Sequence, residues 1–153
     1  MPVHYHGCNL RKGRFSQIGG IYLITTVTHR REPLFRNLYA GRVVVNTLKS
    51  ESNRAMTLAY VLMPDHLHWL VQLLTDITLG EVMQSVKSVS SHRVNRGVSR
   101  KGPVWQARYH EHAVRRDEDI RALARYIIAN PLRENLVQDI GDYPLWDAVW
   151  LQD

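Results

Sequence analysis

The hydrophobic positions of this chain first predict four strands. Residues 21–28 and 56–62 are rich in β-branched, aromatic and other apolar side chains, which is typical of buried strands. The turn-forming pair Pro64-Asp65 follows the second run, and apolar and polar residues then alternate to about Leu74. Residues 104–114 predict a further strand. Two of the four strands should therefore form a hairpin around Pro64-Asp65.

A different spacing of apolar residues predicts three helices. Residues 37–51 show it only roughly, whereas the stretch that begins at Thr78 keeps a clear period of 3.6 residues. Thr78 and Glu81 form a capping box, which marks where that helix starts. The last helix starts at Asp117 and ends near Asn130, because Pro131 disfavours helical backbone at the residue before it. The predicted order is β-α-β-β-α-β-α.

Two histidines on the predicted hairpin are the first candidates for chemistry. Side chains alternate across a strand, so His66 and His68 share one face while Leu67 and Trp69 occupy the other. Two imidazoles held this way can reach one metal ion. Two ordinary strand histidines with satisfied hydrogen bonds are the alternative interpretation.

A second pair of the same spacing, His110 and His112, competes for this role. The residue between them is the carboxylate Glu111, which would face away from any ion that both rings held. Arginines on both sides of the pair also disfavour a bound cation. We therefore predict that His66 and His68 are the ligands, and that His112 is a neighbour of the site.

The end of the last helix carries two further candidates. Tyr126 lies at the edge of the apolar stripe, and its neighbours Ala122 and Ala129 leave the ring uncrowded. It could be a reactive phenol or an amphipathic ring at the boundary of the core. Asn130 could be a ligand or the N-cap of a short helix that begins at Pro131.

Composition limits the class of protein. A chain of 153 residues suits one domain, here 1–153, with a basic arm at 1–19 and an aromatic tail at 138–153 that packs as a flap or contacts another chain. We expect no membrane segment and no signal peptide, and a single cysteine, Cys8, predicts a reducing cytoplasm. A net charge of +6 and a pI near 9.8 favour a polyanionic partner.

Basic residues that could follow a phosphate backbone occur in three places: the arm, the polar face of the helix that starts at Thr78, and the loop after it. They are Arg11, Lys12, Arg14, Lys87, Arg93, Arg96, Arg100 and Lys101. A disordered leader and an ordinary solvated helix face are the alternatives. The aromatic rings of Tyr22, Trp69 and Trp105 could stack on bases, but burial is expected for all three.

Four segments together resemble one family. They are YLITTVTHRR at 22–31, MPDHLHWL at 63–70, WQARYHEH at 105–112 and YIIANP at 126–131. In this order and separation they resemble the REP-associated tyrosine transposases, which are relatives of the single-tyrosine HUH transposases of small insertion sequences. The resemblance runs from about Gly20 to Val137. The tail departs from the family pattern, because Leu-Trp-Asp follows Tyr-Pro.

The resemblance implies a ferredoxin-like α+β fold, with a central antiparallel sheet and helices packed on one face. It implies that Tyr126 is the nucleophile and that His66, His68 and Asn130 bind a divalent ion, Mg²⁺ or Mn²⁺. The substrate would be single-stranded DNA with a REP-type hairpin, cleaved through a 5′-phosphotyrosine in the cytoplasm of a bacterium, at the nucleoid. The alternative is a REP-binding regulator that does not cleave. Both a monomer and a homodimer are compatible with the family.

Overall fold

The computed structural model describes residues 19–115 and 117–151, which form five strands and four α-helices. In chain order these are β1 (Ile21–Val27), α1 (Leu38–Ser50), β2 (Ala55–Met63), β3 (His66–Leu73), α2 (Leu79–Gly97), β4 (His110–Ala113), α3 (Ile120–Ile128), α4 (Asn130–Arg133) and β5 (Trp146–Ala148). Single 3-10 turns occur at His29–Arg31, Leu34–Arg36, Ile140–Asp142 and Val149–Leu151. The predicted cations of the arm, Arg11, Lys12 and Arg14, lie outside the described residues.

The five strands form one sheet in the order β4-β1-β3-β2-β5, and every neighbouring pair is antiparallel. The predicted α+β fold with a central antiparallel sheet is confirmed. Strands β2 and β3 form the predicted hairpin, in which Met63 pairs with His66 across the turn Pro64-Asp65. Strand β3 lies at the centre of the sheet, so its side chains are enclosed on both faces.

Helices cover both faces of the sheet. Alternate residues of β3, including Leu67 and Trp69, pack in one apolar cluster with α1 and α2. Leu70 packs in a second cluster, on the other face, with Ala124 and Ile127 of α3. The expectation that the helices lie on one face is therefore wrong, because the sheet offers apolar side chains to both sides.

A side chain caps the start of each of the three long helices. Asn37 Oδ1 accepts a hydrogen bond from the Ala40 amide, Thr78 Oγ1 from Glu81 and Asp119 Oδ1 from Ala122. The predicted start at Thr78 is confirmed, whereas the last helix starts three residues later than Asp117, at Ile120. Within 19–115 and 117–151, no helix combines the length and the apolar content that crossing a bilayer requires.

The strand predicted at 104–114 is much shorter in the structure. Trp105 forms an isolated bridge with Thr28, and regular pairing resumes only at Thr25 and His110. The bridge and the pair are three residues apart on β1 but five residues apart on the other strand, so residues 106–109 loop out. The Trp105 ring holds the start of this loop in the core, where its Nε1 donates to Ser90 Oγ at 2.9 Å.

The aromatic tail packs on the body of the protein, as one of its two interpretations expected. Strand β5 adds to the outer edge of β2, and Trp146 Nε1 donates to the Ile140 carbonyl at 3.0 Å. Leu145 is buried against α1, where a Cβ on Gly41 would lie only 2.6 Å from its side chain. The tail therefore completes the sheet and the core.

Candidate functional site

Strand β3 places His66 and His68 side by side on the face of the sheet that α3 covers. Both rings point away from Leu67 and Trp69, as alternation along a strand requires. Their centroids are 4.9 Å apart, and their planes cross at 85°. His66 is 8% exposed and His68 is half-buried. The two imidazoles are thus enclosed by their surroundings and lie close to each other.

Each imidazole uses its Nδ1 atom within the protein. His66 Nδ1 lies 2.7 Å from Asp65 Oδ1, and because a carboxylate only accepts, this nitrogen carries the hydrogen. His68 Nδ1 lies 2.9 Å from the hydroxyl of Thr25, its partner across β1 and β3. The Nε2 atoms are then the ones available to a further ligand, which is how metal-binding histidines are commonly oriented.

Asp65 is itself held by contacts beyond that with His66, among them one from the Thr28 hydroxyl to its backbone carbonyl at 3.1 Å. Its backbone carbonyl accepts from the Thr28 amide at 2.9 Å, and Arg31 Nη1 lies 3.4 Å from Oδ2. Burial raises the pKa of the Asp65 carboxyl, but the hydrogen bond with His66 and the charges of His66 and Arg31 outweigh it and lower the pKa. Asp65 therefore stays a carboxylate, which keeps the His66 ring in one tautomer.

His68 stays neutral over the whole physiological pH range. Burial lowers the pKa of its ring to about 3, and the nearby positive charges of His66 and Arg133 act in the same direction. In the neutral tautomer in which Nδ1 donates to the Thr25 hydroxyl, the lone pair lies on Nε2, which is the form that binds a metal ion there.

Tyr126 lies in the last turn of α3 and is 65% exposed. Most of the ring is therefore in contact with solvent and not with the core. Neighbouring Ala124 and Ile127 pack against the histidine face of the sheet, so the helix is anchored while the phenol remains accessible. Arg133 lies on this ring, with its guanidinium carbon 4.2 Å from the centroid.

Asn130 is the first residue of α4, and its side chain is not an N-cap. The N-cap position belongs to Ala129, and no side chain caps this helix. The alternative role predicted for Asn130 is thus wrong, because the new helix begins one residue earlier than Pro131. Helix α4 packs against α3 and against β2, the strand beside the histidines, and Asn130 is half-buried.

The competing pair of histidines is divided between two environments. His112 is buried, and its Nε2 lies 2.9 Å from a carboxylate oxygen of Glu118, so it joins β4 to the start of α3. His110 pairs with Thr25, the residue whose other partner is His68. The neighbour of the site is therefore His110 and not His112, because the register of β4 decides which ring lies beside Thr25.

The candidate phosphate-binding residues of α2 lie on the opposite face of the sheet from the histidines. Arg93 and Arg96 are exposed there. The Lys87 amino group donates to the Gln106 carbonyl and lies 5.8 Å from the centroid of Tyr109. Among these three residues, the arginines have the more accessible charges.

The two candidates of the loop after α2 differ in their surroundings. Arg100 is engaged within the protein, since its guanidinium forms an ion pair with Glu32 at 2.9 Å and donates to Asn95 and to the Pro103 carbonyl. Lys101 is exposed beside it. The stacking candidates Trp69 and Trp105 are buried as expected, and Tyr22 is half-buried.

Three residues of the site were missed from the sequence: Thr25, Asp65 and Arg133. Asp65 precedes the first histidine directly, and a carboxylate at that position is a signal that could have been used. Thr25 is visible only through the register of β1 and β3, and Arg133 only through the return of the chain after α3.

Comparison with known proteins agrees with this geometry. Residues 17–130 match the model of the family described as "Transposase IS200 like". A candidate REP-associated tyrosine transposase of Haemophilus influenzae is 27% identical over 142 residues, which cover 82% of this chain and 78% of that protein. A REP-associated tyrosine transposase of Escherichia coli K12 is 30% identical over 87 residues, which span 56% of this chain and half of that protein.

Two solved structures share the fold. A REP-associated tyrosine transposase bound to a REP hairpin superposes with a TM-score of 0.72 at 25% identity, over 87% of this chain and 79% of that one. A candidate transposase from Deinococcus radiodurans superposes with a TM-score of 0.54 at 17% identity, over 77% of this chain and 95% of that one. The second match concerns the fold alone.

Proposed function

This chain belongs to the IS200-like transposase family, and we propose that it cleaves and rejoins single-stranded DNA that carries a REP-type hairpin. In this proposal Tyr126 is the nucleophile, and His66, His68 and Asn130 hold a divalent ion. One observation carries it: a pair of histidines whose Nδ1 atoms are engaged and the helix that bears an exposed tyrosine lie on the same side of the sheet.

The donor atoms fit a divalent ion. With metal–nitrogen bonds of ~2.1 Å, two imidazoles on one ion have centroids roughly 5 Å apart, which agrees with the 4.9 Å between His66 and His68. Within 19–115 and 117–151, no cluster of three or more His, Cys, Asp or Glu side chains could hold a metal. In this proposal the amide oxygen of Asn130 is the third protein ligand. Two nitrogens and one amide oxygen suit Mn²⁺ better than Mg²⁺.

The reaction is an exchange of phosphoesters. The Tyr126 oxygen forms a bond to the scissile phosphorus and loses its proton, while the bond to the 3′ oxygen breaks and that oxygen takes up a proton. The products are a 5′-phosphotyrosine and a free 3′-OH, so the number of phosphoester bonds is unchanged and the strand can be rejoined without ATP. The bound ion would supply charge withdrawal from the phosphate and its alignment for attack. Asp65 keeps the His66 ring in the tautomer that this requires, and the Thr25 hydroxyl can accept from His68 Nδ1 in the same tautomer.

The proposed DNA partner is supported by the relative that was solved with a REP hairpin. The exposed arginines of α2 lie on the sheet face opposite the histidines. A DNA that contacts both must therefore pass around an edge of the sheet, as a hairpin joined to a single strand can do.

Covalent trapping tests the proposal. Single-stranded DNA with a REP-type hairpin, labelled at its 3′ end, should form a protein adduct in the presence of Mn²⁺, because the 5′-phosphotyrosine retains the 3′ fragment. Tyr126→Phe removes one oxygen and keeps the ring, so it should bind the DNA and form no adduct. Tyr109→Phe is the matched control and should form the adduct. Binding without any adduct by the wild-type protein would instead identify a non-cleaving regulator.

The metal site is tested in the same assay. His66→Ala should weaken Mn²⁺ binding in calorimetry and abolish the adduct, while DNA binding persists, because the basic surface supplies the affinity. His110→Ala is the control, since this ring lies on the same face of the sheet but two strands from His68. Unchanged Mn²⁺ affinity in His66→Ala would remove His66 from the site.

A further inference from the structure

The chain turns back on itself after the nucleophile. Helix α3 ends at Ile128, and Pro131, which has no amide hydrogen, lies in the short helix α4 that follows. The last carbonyls of a helix have no amide partner within it. Arg133 supplies a hydrogen-bond donor to one of these carbonyls, since its Nη1 donates to the Tyr126 carbonyl at 2.7 Å. The side chain that caps the end of α3 thus comes from seven residues further along.

The same guanidinium also contacts the side chain of Tyr126. Its central carbon lies 4.2 Å from the ring centroid, within the range of a cation–π contact. One arginine is therefore attached to one tyrosine at two points, the backbone oxygen and the aromatic ring. Because the first contact fixes the guanidinium and the second lies on the ring, the pair restrains the rotation of a side chain that is otherwise 65% exposed.

The side of the sheet that α3 covers makes this restraint relevant to the histidines. Ala124 and Ile127 of α3 pack with Leu70 of β3, which lies two residues after His68 on the same face of the sheet. A transfer of phosphate to Tyr126 requires the phenol oxygen and the metal ligands to face one phosphorus atom. A residue that holds the ring next to the histidines therefore acts on the geometry of attack.

We propose that Arg133 is the positioning residue of the nucleophile: bound to the Tyr126 carbonyl, it stacks on the Tyr126 ring and directs the phenol toward the histidine pair. This inference rests on the proposed function. Arginine suits the task because its guanidinium is planar and carries five N–H groups, so one can bind the carbonyl while the plane covers the ring. A lysine has the same charge without the plane.

The first experiment separates rate from affinity. In single-turnover reactions with the 3′-labelled DNA and Mn²⁺, Arg133→Ala should slow adduct formation by about 10- to 100-fold, with little change in the dissociation constant of the DNA. Arg133→Lys should also form the adduct slowly. Because this variant retains the positive charge, it tests the proposal even if the alanine variant fails to fold. The control is Arg125→Ala, which removes an exposed arginine beside Tyr126 that lies 3.9 Å from Asp119.

Two results would overturn the proposal. A wild-type rate in either Arg133 variant would show that the stacked guanidinium is not needed. A loss of rate that only follows a loss of DNA affinity would show that Arg133 binds DNA and does not position the tyrosine.

A second measurement needs no cleavage. In protein labelled with ¹³C in its tyrosine rings, relaxation of the Tyr126 signals should show faster ring motion in Arg133→Ala and Arg133→Lys than in the wild type or in Arg125→Ala. Equal ring motion in all four proteins would overturn the positioning role. If the wild type forms no adduct while the ring is released in the Arg133 variants, the proposed function fails and the restraint on Tyr126 stands.

Discussion

At the scale of single residues, the histidine pair depends on two neighbours of different kinds. The turn of the hairpin places Asp65, whose backbone carbonyl accepts from Thr28 and whose carboxylate contacts His66. The register between β1 and β3 places Thr25 beside His68. Each occupies one Nδ1 atom, so each determines which nitrogen of its imidazole can bind a metal ion.

Removal of the Asp65 carboxylate should therefore weaken metal binding without removing a ligand. Asp65→Ala should lower Mn²⁺ affinity by about 10- to 100-fold, because the His66 ring loses the acceptor that orients it. Asp65→Asn keeps an acceptor oxygen and should lose less. Calorimetry with Mn²⁺ measures both.

The control for this prediction is Asp76→Ala, which removes an exposed carboxylate from the loop before α2. Its affinity for Mn²⁺ should equal that of the wild type. Equal affinities of Asp65→Ala and Asp76→Ala would contradict the role of Asp65.

At the scale of elements, the tyrosine helix is joined to the sheet by a buried contact between a carboxylate and an imidazole. Glu118 lies just before α3, accepts from the Arg115 amide at 2.9 Å and contacts His112 of β4. Its side chain is only 12% exposed and that of His112 5%. The pair therefore connects the edge strand of the sheet with the helix that carries Tyr126.

This connection predicts a pH-dependent stability. Burial raises the pKa of the Glu118 carboxyl, but the Arg115 amide and the hydrogen bond and charge of His112 lower it more, so the folded pKa is below its usual value. The stabilisation is then full above the unfolded pKa of ~4.3 and is lost as the pH falls through the folded pKa. Glu118→Gln should reduce the free energy of unfolding at pH 7 by about 1.5–3 kcal/mol, and the difference should narrow in acid.

Urea denaturation at a series of pH values measures this effect. Glu81→Gln is the control, because Glu81 is exposed in the first turn of α2. A constant difference between Glu118→Gln and the wild type from pH 7 to below pH 4 would contradict the proposed pair.

At the scale of the whole molecule, the sheet separates the exposed arginines of α2 from the proposed catalytic residues. The histidines and Tyr126 lie on the α3 face, whereas the exposed arginines of α2 lie beyond the other face. Arg100 is occupied by Glu32. The arm with Arg11, Lys12 and Arg14, which lies outside the described residues, is a further candidate to bind phosphates of the DNA.

Salt dependence of DNA binding tests the arm. Neutralising Arg11, Lys12 and Arg14 together should flatten the slope of log K against log salt by roughly 0.7 per lost phosphate contact on single strands. The control is a variant that neutralises Arg36, Arg42 and Lys49, which are exposed residues at and near α1. It loses the same total charge as the variant of the arm. Equal slopes in the two variants would show that the arm makes no specific phosphate contacts.

Features that depend on neighbouring residues could be predicted from the sequence. The alternation along β3 determines that His66 and His68 share a face, and Pro64-Asp65 determines the hairpin. The hydroxyl of Thr78 determines where α2 begins. Each of these features follows either from the alternation of side chains along the backbone or from one local hydrogen bond. These two causes do not depend on how distant parts of the chain pack.

Features that depend on distant packing were decided only by the tertiary structure. Trp105 is anchored in the core, and two extra residues between its bridge with Thr28 and the start of β4 place His110, rather than Arg108, opposite Thr25. The turn from α3 into α4 brings Arg133 back to the Tyr126 ring. Strand register and side-chain contacts between separate elements result from the competition of many packing arrangements, so the order of residues along the chain does not reveal which one is adopted.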